Sequence, residues 1–360
     1  MLSQTLQDFP LLILDGALAT ELERRGCDLR DALWSARVLL DNPELIRAVH
    51  HDYFAAGADV ATTASYQASY EGFARRGLSA EQATACLQLS VQLAREARDA
   101  FWAANPQLHG VRPRPLVAAS VGPFGAMRAD GSEYVGHYGV DDATLRDFHR
   151  PRLAALLAAG PDVLACETLP CLQEARVLAE LLRAEFPQAQ AWVSFSCRDG
   201  AHTCQGEPLA EAVAALADCP QVVAVGVNCT APGFIPELVA AARAASDKPV
   251  LVYPQRGRNL RPGAQMLAWL RRPQGLCRSA RHWHAQGVRL IGGCCRTAGG
   301  YSCAGGLGAA AVIRERAARD GWRKAAWFSL TQPAVRLFYC ESINLPGRAR
   351  RCNDRAESGG

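Results

Sequence analysis

Eight short apolar runs, separated by stretches with helical spacing, constrain this chain more than any other feature. The runs cover residues 11–15, 60–65, 116–122, 162–167, 191–196, 222–229, 249–253 and 288–295. Helical spacing fills 43–56, 80–103, 141–159, 172–184, 209–216 and 235–244. Such alternation predicts a parallel sheet covered by helices, and eight units close a (β/α)8, or TIM, barrel. An open doubly wound sheet would alternate in the same way. Its Gly-rich dinucleotide turn is absent, because the first run leads into Asp15-Gly-Ala-Leu-Ala and not GxGxxG. In a barrel the C-terminal strand ends converge on one face, where active sites are built. Polar residues gather at those ends: Asp15, Ser65, Glu167, Asn228, Cys229, Tyr253, Cys294 and Cys295. The expectation is a single-domain α/β barrel over 1–297, with an atypical stretch at 255–275. An atypical C-terminal extension over 298–360 follows, partly helical, with a disordered tail.

Composition excludes several classes. A net charge of +4 over 360 residues is too mild for a nucleic-acid footprint. No apolar run approaches the roughly 18 residues of a membrane span. The first ten residues lack the basic and apolar regions of a signal peptide. Fourteen cysteines would suit a secreted disulfide scaffold. Cys166, Cys197, Cys229 and Cys294 nevertheless lie in or beside apolar strand-like runs, and a chain this long needs no staples. A reduced, cytoplasmic protein is expected.

Adjacent cysteines bridge each other poorly, so Cys294-Cys295 is a weak structural staple and a good grip for a soft metal. Cys229 ends another apolar run. If both ends share a face, the three thiolates leave one position open, the format of a catalytic zinc. The plainer reading is three buried thiols. Asp15 and Glu167 read as an ion pair or loop caps, as a clamp for the ammonium of an amino-acid substrate, or as a general acid/base pair. Trp34 either packs or offers an aromatic face to a cationic methyl donor. Tyr66 either packs or brings a phenol to the metal or substrate. His282 and His284 sit two apart on a helical stretch before the last run, where they share no face and reach no strand end.

Five motifs then fall in order: Leu14-Asp-Gly-Ala-Leu-Ala-Thr-Glu-Leu22, Thr63-Ala-Ser-Tyr-Gln67, Ala165-Cys-Glu-Thr-Leu-Pro170, Gly226-Val-Asn-Cys229 and Gly292-Gly-Cys-Cys295. With them the chain resembles the zinc-dependent homocysteine S-methyltransferases, and within that family the bacterial branch that uses S-methylmethionine or S-adenosylmethionine. The resemblance covers 11–253 and resumes over 281–297. It implies Zn2+ on Cys229, Cys294 and Cys295, the homocysteine amino group at Asp15 and Glu167, and Trp34 and Tyr66 near the donor or metal. The implied reaction is attack of the zinc-activated homocysteine thiolate on a sulfonium methyl, giving methionine. Betaine and methylfolate enzymes share the barrel and its cysteines, so those donors stand as alternatives. So does a non-catalytic zinc- or thiol-binding barrel.

Two segments depart from the family pattern. After Tyr253-Pro254 the family continues Asn-Ser-Gly-Glu, whereas this chain reads Gln255-Arg-Gly-Arg-Asn-Leu-Arg-Pro262. After Thr297 the expected closing helix gives way to Gly-rich sequence. Both departures lie in the span between Asp247 and Glu315, which holds no acidic residue. Our hypothesis is a pair of reading-frame disturbances. Resequencing the gene is expected to expose them, and an uninterrupted frame encoding these residues would remove the idea.

Overall fold

The computed structural model describes residues 1–28, 35–255 and 273–293. Its strands are β1 (Leu12–Ile13), β2 (Val60–Thr62), β3 (Leu116–Val121), β4 (Val163–Leu169), β5 (Ala191–Phe195), β6 (Val222–Asn228), β7 (Val250–Tyr253) and β8 (Val288–Ile291). Every pairing is parallel, in the order β1-β8-β7-β6-β5-β4-β3-β2. The ends of that order meet. Leu14 bridges Val60 in parallel, the Asp15 amide donates to the Val60 carbonyl at 2.9 Å, and the Asp59 amide donates to Ile13 at 2.7 Å. The sheet therefore closes into the expected barrel.

Both faces of the strands are apolar because both are covered. Leu12, Leu14, Ala118, Ala165, Trp192, Ala224, Leu251 and Leu290 fill the interior. Alternate residues, among them Ile13, Val117, Leu164, Cys166, Val193 and Val252, pack outward against helices. Those helices begin with α1 (Leu2–Asp8), α2 (Leu18–Arg24), α3 (Ser35–Asp41), α4 (Pro43–Ala55), α5 (Tyr70–Ala74) and α6 (Ala80–Ala104). They continue with α7 (Phe124–Arg128), α8 (Asp142–Ala158), α9 (Leu172–Glu185), α10 (Leu209–Ala214), α11 (Ile235–Ala245) and α12 (Pro273–Ala285). Local chemistry sets their starts. Asn42 accepts from the Leu45 amide ahead of Pro43, Ser79 and Gln82 form a capping box, and Asp141 accepts from the Thr144 amide. None of the described helices is long and apolar enough to cross a membrane.

α1 was not expected from the sequence. Leu2, Leu6 and Phe9 join the interior cluster and stop the N-terminal end of the barrel. The terminal ammonium donates to Gln190 at 3.0 Å, and Arg289 donates to the carbonyls of Leu6 at 2.6 Å and Pro10. Two carboxylates tie that end together. Asp59 accepts from the Ile13 amide and pairs with Arg112 at 3.0 Å, while Asp162 accepts from the Val117 amide and pairs with Arg98 at 2.7 Å. Such pairs serve stability; the chemistry belongs at the other end.

At that other end a glycine lets β8 approach β1. A Cβ on Gly292 would lie 2.7 Å from Leu14 Cβ. With no side chain there, the Gly292 amide reaches the Val252 carbonyl at 3.0 Å, and the Gly293 amide reaches the Asp15 carbonyl at 3.4 Å.

Candidate active site

A cavity of about 100 Å³ opens over the C-terminal strand ends. Asp15, Tyr66, Glu167, Cys229, Tyr253 and Gly293 are among the residues that line it. Four of the expected site residues, Asp15, Tyr66, Glu167 and Cys229, thus meet in one place. Trp34, Cys294 and Cys295 lie outside the described residues, although Gly293 in the wall carries the chain to the cavity just before Cys294. Among the described residues no three His, Cys, Asp or Glu side chains form a metal-holding group. Two of the three expected ligands are not in that set.

Asp15 is held by Thr62, whose amide donates to it at 2.7 Å and whose hydroxyl donates at 2.9 Å. Burial pushes its carboxyl up to about 8 from an ordinary 3.8. The Thr62 hydrogen bonds oppose that rise and the Glu167 charge adds to it. A cation entering the cavity would stabilise the ionised form that burial disfavours.

Glu167 reaches the cavity through an irregularity in β4. The β4–β5 register shifts between Cys166 and Leu169, so Glu167 and the next residue, Thr168, both face the site. Glu167 accepts from the Ser120 hydroxyl and, at 2.9 Å, from Tyr253. The Tyr253 hydroxyl also meets Ser194 Oγ at 2.8 Å, and Ser194 donates to Asn228 Oδ1 at 2.8 Å. Asn228 in turn grips Thr168, accepting from its amide at 2.7 Å and donating to its hydroxyl at 2.7 Å. The Thr168 hydroxyl lies 3.9 Å from Cys229 Sγ. A run of close polar contacts therefore links the carboxylate to the thiol across β4, β5, β6 and β7, with the Tyr253 proton on Glu167 and the Ser194 proton on Asn228.

Thr168 and Cys229 both have left-handed backbones, with φ of +63° and +47°. A β-branched residue rarely adopts that region, and such strain collects at functional sites. Tyr66 lies against the same corner. Burial raises its phenol well above the usual range, with Cys229 and Glu133 adding to the effect, so the hydroxyl keeps its proton.

Ser65, a strand-end residue in the sequence, turns away and donates to the Ser120 carbonyl at 2.7 Å. His284 binds the Val288 carbonyl at the start of β8, remote from the strand C-termini as its position in the chain suggested. The eight cysteines whose side chains are described, Cys229 included, form no disulfide. Burial pushes the Cys166 thiol up to about 12 and also raises Cys171 and Cys197, which keeps those thiols inert. The residues that sequence reasoning missed are the supporting hydroxyls and amide: Thr62, Ser120, Thr168, Ser194 and the roles of Asn228 and Tyr253. Their one signal was a polar residue inside an apolar run.

Fold and cavity together define a (β/α)8 barrel with a polar cavity over its strand C-termini. The chain belongs to the homocysteine S-methyltransferase family, whose profile matches residues 12–299. It is 51% identical to the homocysteine S-methyltransferase YbgG of Bacillus subtilis (strain 168) over 292 residues, covering 81% of this chain and 92% of that one. It is also 51% identical to the Escherichia coli (strain K12) homocysteine S-methyltransferase over 290 residues, covering 80% and 91%. The crystal structure of the metallated form of the Escherichia coli homocysteine methyltransferase MmuM superposes with a TM-score of 0.72 at 49% identity, covering 84% of this chain and 96% of that one. The protein is accordingly a methyltransferase acting on homocysteine.

Proposed function

We propose that the enzyme moves a methyl group from S-methylmethionine, or from S-adenosylmethionine, to the sulfur of homocysteine, with Zn2+ on Cys229, Cys294 and Cys295. The observation that carries this reading is the cavity itself, in which two buried carboxylates face a strand-end thiol. The donor set fits a soft metal: Cys229 lines the cavity, and thiolates at 294 and 295 would complete a three-sulfur grip. When bound, the zinc supplies a Lewis acid that keeps the substrate thiol ionised near neutral pH.

The chain's own residues do the remaining work. Asp15 and Glu167 hold the ammonium of homocysteine, each fixed in advance by the hydroxyls and amide that grip it. Anchored there, the substrate extends its sulfur toward Cys229. Tyr66, half-buried with its hydroxyl shielded and protonated, stands beside that sulfur, and Trp34 offers its ring to the sulfonium. The substrate sulfur forms a bond to the methyl carbon as the carbon–sulfonium bond breaks. The sulfonium sulfur keeps that electron pair and leaves as a neutral thioether. The thiol's proton is released to solvent before the transfer, so the methyl step itself needs no general base. The domain responsible is proposed to run over 1–297, in a cytoplasmic enzyme.

A side-by-side assay of methionine formation tests the donor. S-methylmethionine is expected to be used best and S-adenosylmethionine to be used as well. Preferential turnover of betaine or methylfolate would overturn the assignment.

A further inference from the structure

The strained corner of the site holds an arrangement that the transfer of a methyl group does not by itself require. The Thr168 amide needs an acceptor, and Asn228 Oδ1 provides it at 2.7 Å while also accepting from Ser194 at 2.8 Å. With Oδ1 so committed, the Asn228 amide nitrogen must face the Thr168 hydroxyl, and it does at 2.7 Å. That nitrogen can only donate. Thr168 Oγ1 is therefore an acceptor toward Asn228, and its own hydrogen points elsewhere. It faces Cys229 Sγ at 3.9 Å and the Tyr66 phenol. Of these two, a thiolate gains most from a hydroxyl donor.

We infer that Thr168 is a positioning residue for the metal ligand Cys229, its hydroxyl proton directed onto the Cys229 sulfur by the Asn228 side chain. The backbone supports the same assignment. A threonine held at φ +63° beside a cysteine at φ +47° costs folding free energy, and the Asn228 grip maintains it from a fully buried position. Partners that orient a ligating group in this way are worth about 10- to 100-fold in metal affinity. This inference rests on the proposed zinc site.

The test is zinc affinity, measured by chelator competition on the full chain. Thr168→Ser keeps the hydroxyl and is expected to bind zinc within about 3-fold of the wild type. Thr168→Val keeps the shape and is expected to bind about 10- to 100-fold more weakly. Asn228→Asp still accepts from the Thr168 amide, but its second oxygen now takes the hydroxyl proton away from sulfur. It should weaken zinc similarly, which keeps the idea testable if Thr168→Val fails to fold. Wild-type affinity in Thr168→Val, or equal losses in Thr168→Ser and Thr168→Val, would overturn the inference while leaving the zinc site standing. A wild-type protein that takes up no zinc would overturn both.

Discussion

Replacing Cys229 by serine is expected to remove bound zinc and to lower methionine formation by on the order of 10³-fold or more. The size follows from two parts of the proposed chemistry. A free thiol with a pKa of about 8.5 is only about 3% ionised at pH 7, so losing zinc's effect on ionisation costs roughly 30-fold. Losing the fixed position of the sulfur costs the remainder, because well-oriented reactants draw much of their rate from that placement. Metal analysis and initial rates with S-methylmethionine check the prediction together. Cys294→Ser should behave in the same way. A Cys229→Ser protein that retained wild-type turnover would show that the cavity thiol takes no part.

The second large effect concerns the carboxylates. Asp15→Asn and Glu167→Gln are each expected to lower kcat/KM for homocysteine by about 30- to 150-fold, the equivalent of about 2–3 kcal/mol for a hydrogen bond to a charged group. Most of the loss should appear in KM, since neither residue is asked to move a proton. Asp15 adds a test by pH. Its pKa is raised in the fold, from 3.8 to about 8, so the native state keeps a proton that the unfolded chain releases near pH 4. The raised value favours the native state most fully below about pH 4, and that advantage is lost as pH rises toward about 8. Metal-free Asp15→Asn should therefore melt above the wild type at pH 8 and close to it at pH 4. Equal melting at both pH values, with KM unchanged, would count against a buried, substrate-binding carboxylate.

The barrel was legible because each strand is buried on both faces and so reads as a continuous apolar run, as at Leu116–Val121. The strand ends were legible for the same reason: Asp15, Glu167 and Cys229 interrupt or finish such runs. α1 was not. Its seven residues are too few to display a helical period, and what holds Leu2 and Leu6 is the open end of a barrel built from residues far along the chain. Thr168 was missed because its place in the site depends on a register shift against β5, which no local pattern records. The left-handed backbones at Thr168 and Cys229 carry no glycine to announce them. Ser120 and Ser194, small polar residues within strands, look like tolerated substitutions until Glu167 and Tyr253 are seen beside them.

The central claim is that homocysteine presents its sulfur to a zinc held by Cys229, Cys294 and Cys295. Zinc X-ray absorption on the purified enzyme, with and without homocysteine, addresses it most directly. The account predicts three sulfur neighbours at about 2.3 Å in the resting enzyme and a fourth when homocysteine is added. A zinc environment left unchanged by saturating homocysteine would contradict it.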